Sequence, residues 1–268
     1  MPESPEVLRC CDRLTAALQE GGQWMYFVNA FRIGDRFDVN PELLKPALDQ
    51  RIVDIFTKGK YYFICLANGV TVKAHRGMEG HWDFDMPDGL ANTHFRLDFN
   101  TSTESYYPCR TLYFVNTRFG SLEILTSQIQ LDAALSQIAS AFIGRFILSK
   151  NEWCQRINEI MASRRKTNLI RDVLLDQRML CSGIGNYLIA EIMYYAKLHP
   201  LITLDKLQLA ELYGLYDLCS WVVKGHYDHS LRKVIYNKSQ CPCGHPISKI
   251  ESKGRKAWFC SAEQLTRP

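Results

Sequence analysis

Leu174-Leu175-Asp176-Gln177-Arg178-Met179-Leu180-Cys181-Ser182-Gly183-Ile184-Gly185-Asn186-Tyr187-Leu188, running on through Glu191 to His199-Pro200, is the most informative run in this 268-residue chain. Its apolar spacing predicts a helix over Asn168–Leu180, and a Gly-Ile-Gly turn then leads into a second helix over Asn186–Ala196. The two glycines permit positive φ and close backbone approach. The freed N–H groups at the start of the second helix form a site for an anion. Asn186 can cap that helix or donate to a phosphate.

Outward from this corner the texture changes twice. Further helices are expected over Asn151–Ser163 and Leu204–Val223, where apolar residues recur at helical spacing. Upstream, Val7, Cys11, Leu14 and Leu18 mark a leading helix from Pro5 to about Glu20, ended by Gly21-Gly22. Between Trp24 and Leu125 the chain reads as β. Tyr61–Ala67, Val70–Ala74, His94–Phe99, Thr111–Asn116 and Ser121–Leu125 are rich in β-branched and aromatic residues, with turns such as Asn68-Gly69 and Pro87-Asp88-Gly89 between them. Many short strands so punctuated read as a β-sandwich or barrel, with a two-layered sandwich the expectation. The expected architecture is therefore α+β and multidomain: residues 1–130 form an N-terminal helix and sandwich, 131–230 a helical domain, and 231–268 a C-terminal β-hairpin finger.

Composition bounds the function. With 47% hydrophobic and 22% charged residues the chain is ordinary for a globular protein. Its best apolar stretch, Ala139–Leu148, is short and broken by Arg145, so no membrane span is expected. The opening Met-Pro-Glu-Ser-Pro-Glu has neither the basic nor the apolar region of a secretory signal. Ten cysteines, seven of them among apolar residues in the manner of buried thiols, point to a reducing intracellular compartment: the nucleus in a eukaryotic host, otherwise the cytoplasm. The net charge of +4 is unevenly spread. Residues 231–268 carry 8 Lys+Arg against 2 Asp+Glu, while residues 1–150 carry 15 against 17. A basic tail beside clustered cysteines favours a polyanion, with nucleic acid first.

The run from Leu174 to Pro200 resembles the helix–two-turns–helix signature of the formamidopyrimidine-DNA glycosylase and endonuclease VIII family, which grips the phosphate backbone. Met1-Pro2-Glu3-Ser4-Pro5-Glu6-Val7 resembles that family's start. The resemblance implies that removal of Met1 frees the secondary amine of Pro2 as nucleophile, with Glu3 moving protons to and from the sugar and Glu6 orienting the site. Thr57-Lys58-Gly59-Lys60 is similar to the family's Gly-Lys, which makes Lys60 catalytic. His75–Trp82 resembles the loop that fills the void left by a flipped base, so Met78 is either that plug or a core filler. Asn116-Thr117-Arg118-Phe119-Gly120 resembles the loop in which Arg118 binds phosphate and Phe119 wedges beside the orphaned base. Thr117 stands where one branch has a base-reading arginine, which turns the expectation from 8-oxoguanine towards oxidised pyrimidines. Arg171, Asn186 and Arg255 fall on the family's phosphate contacts.

The finger reads Cys241-Pro242-Cys243-Gly244-His245 and then Cys260-Ser261-Ala262-Glu263. It is similar to the Nei-like branch with a Cys-x-x-x-His finger, with Glu263 in place of the last cysteine. Structural Zn2+ through Cys241, His245 and Cys260 is expected, the fourth ligand lying between Glu263 and Cys243, and no catalytic metal is expected. The resemblance thus implies a monomeric bifunctional glycosylase and lyase acting on damaged DNA, whether duplex, bubble or single-stranded. A catalytically silent binder of damaged DNA, and a zinc-finger module for RNA or protein, are the rivals.

Overall fold

The computed structural model describes residues 2–32, 45–85, 93–104, 109–115 and 120–264, with His94 described in its backbone alone. It divides into two compact units, one of residues 6–137 with Pro2, the other of residues 138–268 with Glu3–Pro5. The finger lies within the second unit.

In the first unit, α1 (Ser4–Ala17) buries Val7, Cys11 and Leu14 at helical spacing, with Leu18 just beyond its end. Gly21 and Gly22, both at positive φ, then turn β1 (Gln19–Glu20) into β2 (Gln23–Trp24). Eight further strands follow: β3 (Tyr26–Arg32), β4 (Gln50–Lys58), β5 (Tyr61–Leu66), β6 (Thr71–His75), β7 (His81–Asp83), β8 (Thr93–Asn100), β9 (Arg110–Val115) and β10 (Ser121–Leu125). Their order is β10-β6-β5-β4-β3-β8-β9-β7, all neighbours antiparallel. Only Tyr26–Arg51 and Phe27–Gln50 pair across β3 and β4, so the order falls into two four-stranded halves joined by a short ladder. Both halves feed one core. Phe27, Phe95, Leu97, Phe99 and Phe114 come from one half; Ile52, Tyr62, Ile64 and Val72 come from the other, with α1 packed against them. Fold class and strand pattern agree with the sequence reading.

The second unit's core gathers Trp153, Ile157, Leu174, Leu180, Leu188, Ile192, Leu212 and Val222. It is built from α3 (Lys150–Met161), α4 (Ile170–Leu175), α5 (Asn186–Tyr195) and α6 (Leu209–Tyr227), while α2 (Gln128–Ser136) closes the first unit. Two expectations need correction. The helix predicted to reach Leu180 stops at Leu175, because Asp176 is extended and its carboxylate accepts the Arg178 N–H at 2.9 Å. The helix expected from Leu204 begins as a 3-10 turn over Leu204–Lys206, and α6 starts at Leu209. The hairpin of β11 (Ser248–Ser252) and β12 (Arg255–Phe259) turns through Lys253 and Gly254, both at positive φ. Among the cysteines Cys10, Cys11, Cys181 and Cys219 are buried as expected, Cys65 and Cys154 are half-buried, and Cys109 is exposed. No helix among the described residues is long and apolar enough to cross a membrane.

Candidate nucleic-acid and catalytic site

The N-terminus of α5 is occupied by a side chain from the start of the chain. Glu3, 2% exposed, accepts hydrogen bonds from Gly185 N at 2.7 Å, Tyr187 N at 2.9 Å and Leu188 N at 3.2 Å. These are the helix's orphan donors, so a carboxylate distant in sequence supplies the cap. Asn186, expected as a possible cap, makes no capping bond; its amide donates instead to Lys256 O at 3.0 Å. Ser4 N–H donates to Gly183 O at 2.9 Å, so the segment after Pro2 is anchored by backbone as well as by side chain.

The Gly-Ile-Gly motif now has a physical explanation. Gly183 has φ +89°, a conformation that disfavours any side chain. Gly185 is needed for space, since a Cβ there would sit 2.4 Å from Glu3 Oε1. Gln177 braces the turn from inside. Its amide nitrogen donates to Leu175 O (2.8 Å) and Ile184 O (3.0 Å), and its oxygen accepts from Gly183 N (2.7 Å). The sequence reading assigned Gln177 no part; the only available signal was an amide side chain held between a helix end and a glycine turn.

The short helix before this turn carries a buried guanidinium. Arg171 is wholly buried, with its Nη1 3.5 Å from Ser252 O and its Nε and Nη2 without a hydrogen-bond partner among the described residues. Burial lowers its pKa from the ordinary arginine value, Asp172 opposes that shift, and the nearby guanidinium of Arg255 adds to it. A small crevice beside it is lined mostly by apolar residues, among them Ile189, Met193, Pro200 and Trp258, with Arg171 and Asn186 as its polar members. The unpartnered donors of Arg171, close to the Arg255 guanidinium, favour an anion here.

In the first unit the two lysines of Lys58-Gly59-Lys60 separate in role. Lys58 Nζ is bonded to Leu135 O at 2.9 Å, while Lys60 is buried at the turn between β4 and β5, where Gly59 has φ +61°. Met78 stands on a turn closed by Arg76 Nε bonding to Gly80 O at 2.7 Å, and it is 40% exposed, so it is no core filler. Glu6, in the first turn of α1, lies 3.7 Å from Arg9. Arg118 and Phe119 lie outside the described residues.

In the finger, ligand atoms of Cys241, His245 and Cys260 all lie within 4.8 Å of one another, with both thiols buried. Cys241 Sγ is 4.0 Å from His245 Nδ1, near the roughly 3.6 Å that a tetrahedral zinc site sets between sulfur and nitrogen ligands. This group can hold a metal ion. Glu263 falls in a second, overlapping group with Cys243 and His245. Its carboxylate is paired with Lys197, which, followed by Cys243, holds it below the usual carboxylate range.

Residues 1–122 match the family model for the formamidopyrimidine-DNA glycosylase N-terminal domain. Those residues are similar to that domain. Proteins that carry the formamidopyrimidine-DNA glycosylase name are similar to this chain over its whole length. The formamidopyrimidine-DNA glycosylase of Mycoplasma genitalium is 26% identical over 290 residues, covering 97% of this chain and 94% of that protein. The MutM (Fpg) protein of Thermus thermophilus shares the fold with a TM-score of 0.78 at 24% identity, over 100% of both chains. Lactococcus lactis Fpg, solved with DNA containing an oxidised pyrimidine, gives 0.80 at 22% identity over 99% of this chain and 100% of that one. These likenesses agree with the family resemblance carried by the motifs and do not distinguish its Nei-like branch.

Proposed function

We propose that this chain is a bifunctional DNA glycosylase and abasic-site lyase of base excision repair. The observation that carries the reading is the Glu3 carboxylate, seated on the amides of Gly185, Tyr187 and Leu188 and one peptide bond from Pro2. With Met1 removed, the neutral Pro2 nitrogen attacks C1′ of the damaged nucleotide and the glycosidic bond breaks. The base leaves with that electron pair and takes up a proton. Glu3 relays protons at the opening sugar, and Lys60 assists the departing base or holds the neighbouring phosphate. The resulting imine makes the C2′ proton acidic. Its loss expels the 3′ phosphate, and a second elimination expels the 5′ phosphate, leaving a one-nucleotide gap. Glu6 has an orienting role.

Damaged DNA is the partner. Arg171, Asn186 and Arg255 hold phosphate, with Arg118 as a further contact; Met78 enters the stack, with Phe119 beside the unpaired base. Oxidised pyrimidines are the preferred lesions and the finger is of the Nei-like kind, on the strength of Thr117 and the Cys-x-x-x-His spacing. The oxidised-pyrimidine complex of the Lactococcus protein supports a fold able to take such a lesion. Zinc is the ion for Cys241, His245 and Cys260, because two thiolates and an imidazole suit its borderline softness. It has a structural part, tying the finger's two ends.

Single-turnover cleavage of an abasic-site duplex tests the reading. The wild-type protein should leave a one-nucleotide gap, with Glu3→Gln slower by about a hundredfold or more, as expected for loss of a proton-relaying group. Cleavage by Glu3→Gln at the wild-type rate would remove Glu3 from the mechanism.

A further inference from the structure

Glu191 is wholly buried in the middle of α5, a helix whose residues from Tyr187 to Tyr194 are all buried. An apolar side chain would be the inexpensive choice at such a position. The carboxylate instead accepts three consecutive backbone N–H groups, from Val234 at 2.9 Å, Ile235 at 3.1 Å and Tyr236 at 2.9 Å. That segment lies outside helix and strand, so these donors have no ladder of their own. The lead-in to the finger is held on both sides of this nest. Ile235 is fully buried with Ala190, Tyr194, Cys241 and Cys260. The Lys233 ammonium sits 3.9 Å over the Tyr187 ring and 5.8 Å from that of Tyr236.

The same helix therefore does two jobs. Its first-turn amides hold Glu3, and one turn later its own carboxylate holds the chain entering the finger. Asn186 adds a third tie through Lys256 O, next to Arg255.

We propose that Glu191 is a positioning residue: it docks the finger's lead-in on α5 and thereby sets Arg255 beside Arg171 and Asn186, so that the phosphate grip is built in register with Glu3. The inference rests on the function proposed above. Its logic is that one rigid element fixes two parts of a DNA site, and that the nest is the joint between them.

Amide hydrogen exchange on the wild-type protein without DNA is the first arm. The Val234, Ile235 and Tyr236 amides should be protected as strongly as the core amides of α5. Exchange at the rate of an exposed loop would overturn the docking. The second arm compares Glu191→Gln, whose amide nitrogen faces one of the donors, with wild type. Affinity for a duplex carrying a tetrahydrofuran abasic analogue should fall about tenfold, the loss of a bond to a charged group. The rate of borohydride-trapped imine formation at saturating abasic DNA should stay within about twofold, since Glu3 is held by backbone that the substitution leaves alone. In an Arg255→Ala background the same substitution should add less than about twofold to the loss of affinity. Full additivity there, or loss of imine formation with unchanged affinity, would contradict a role through the finger. Absence of any imine in the wild-type protein would instead remove the proposed function, while exchange and affinity would still report on Glu191.

Discussion

Glu3 and Gly185 form a matched pair, in which a carboxylate caps a helix only because the facing residue has no side chain. Gly185 is not in a left-handed conformation, so its value is space alone. Gly185→Ala is expected to push Glu3 off the α5 amides, lower stability by about 1–3 kcal/mol through orphaned donors, and depress lyase activity along with it. Urea unfolding beside single-turnover cleavage would measure both, and an alanine variant equal to wild type in each would break the link. A second residue-scale expectation concerns Glu191, whose pKa is raised by burial despite the opposing hydrogen bonds from Tyr236, Val234 and Ile235. A carboxyl with a raised folded-state value binds more protons folded than unfolded between its ordinary and raised values. Stability from this group is thus complete below the ordinary carboxylate value and is lost as pH rises through the raised one. Glu191→Gln should therefore flatten the pH dependence of unfolding in that interval; an unaltered slope would show that the carboxylate is not strained by burial.

The elements of the fold were legible in the sequence to different depths, for physical reasons. Strands β5, β6, β8, β9 and β10 announced themselves because turn residues bound short β-branched and aromatic runs. The helical corner was legible as a corner but not in its detail. Apolar spacing continues through Met179 and Leu180, yet α4 ends at Leu175, where Asp176 turns extended to take the Arg178 N–H and Gln177 reaches residues up to seven positions away. Glu191 was invisible for a related reason: one carboxylate in an apolar helix looks like a surface position until its three amide donors, over forty residues on, are seen. The site residues Pro2, Glu3, Lys60 and Arg255 drew their meaning from the ordered resemblance, and the burial of Arg171 could not have been read from spacing. Two expectations follow at this scale. Gln177→Ala should lower stability by roughly 1–3 kcal/mol, since it strands the Gly183 N–H and two carbonyls, and thermal unfolding would register it. In the finger, Cys241→Ser or Cys260→Ser should lose bound zinc, measured by elemental analysis of the purified protein, while Glu263→Ala should keep it, because Lys197 already engages that carboxylate. Zinc loss in Glu263→Ala alone would make the glutamate the essential ligand.

Across the whole molecule, the residues given roles in the proposed reaction fall in both units. The first unit carries Pro2, Lys60 and Met78; the second carries Glu3, the α5 amides, Arg171 and a finger with 8 basic against 2 acidic residues. Covalent catalysis by the chain's own amine is the claim on which the rest depends, and it requires that Met1 be absent. Borohydride trapping on a duplex with an abasic site, followed by peptide mapping of the adduct by mass spectrometry, tests it most directly. The account predicts a covalent complex with the DNA attached at Pro2 of a chain that lacks Met1, and no complex from a chain that retains it. A reduced adduct on a lysine side chain, or none from the processed protein, would contradict it.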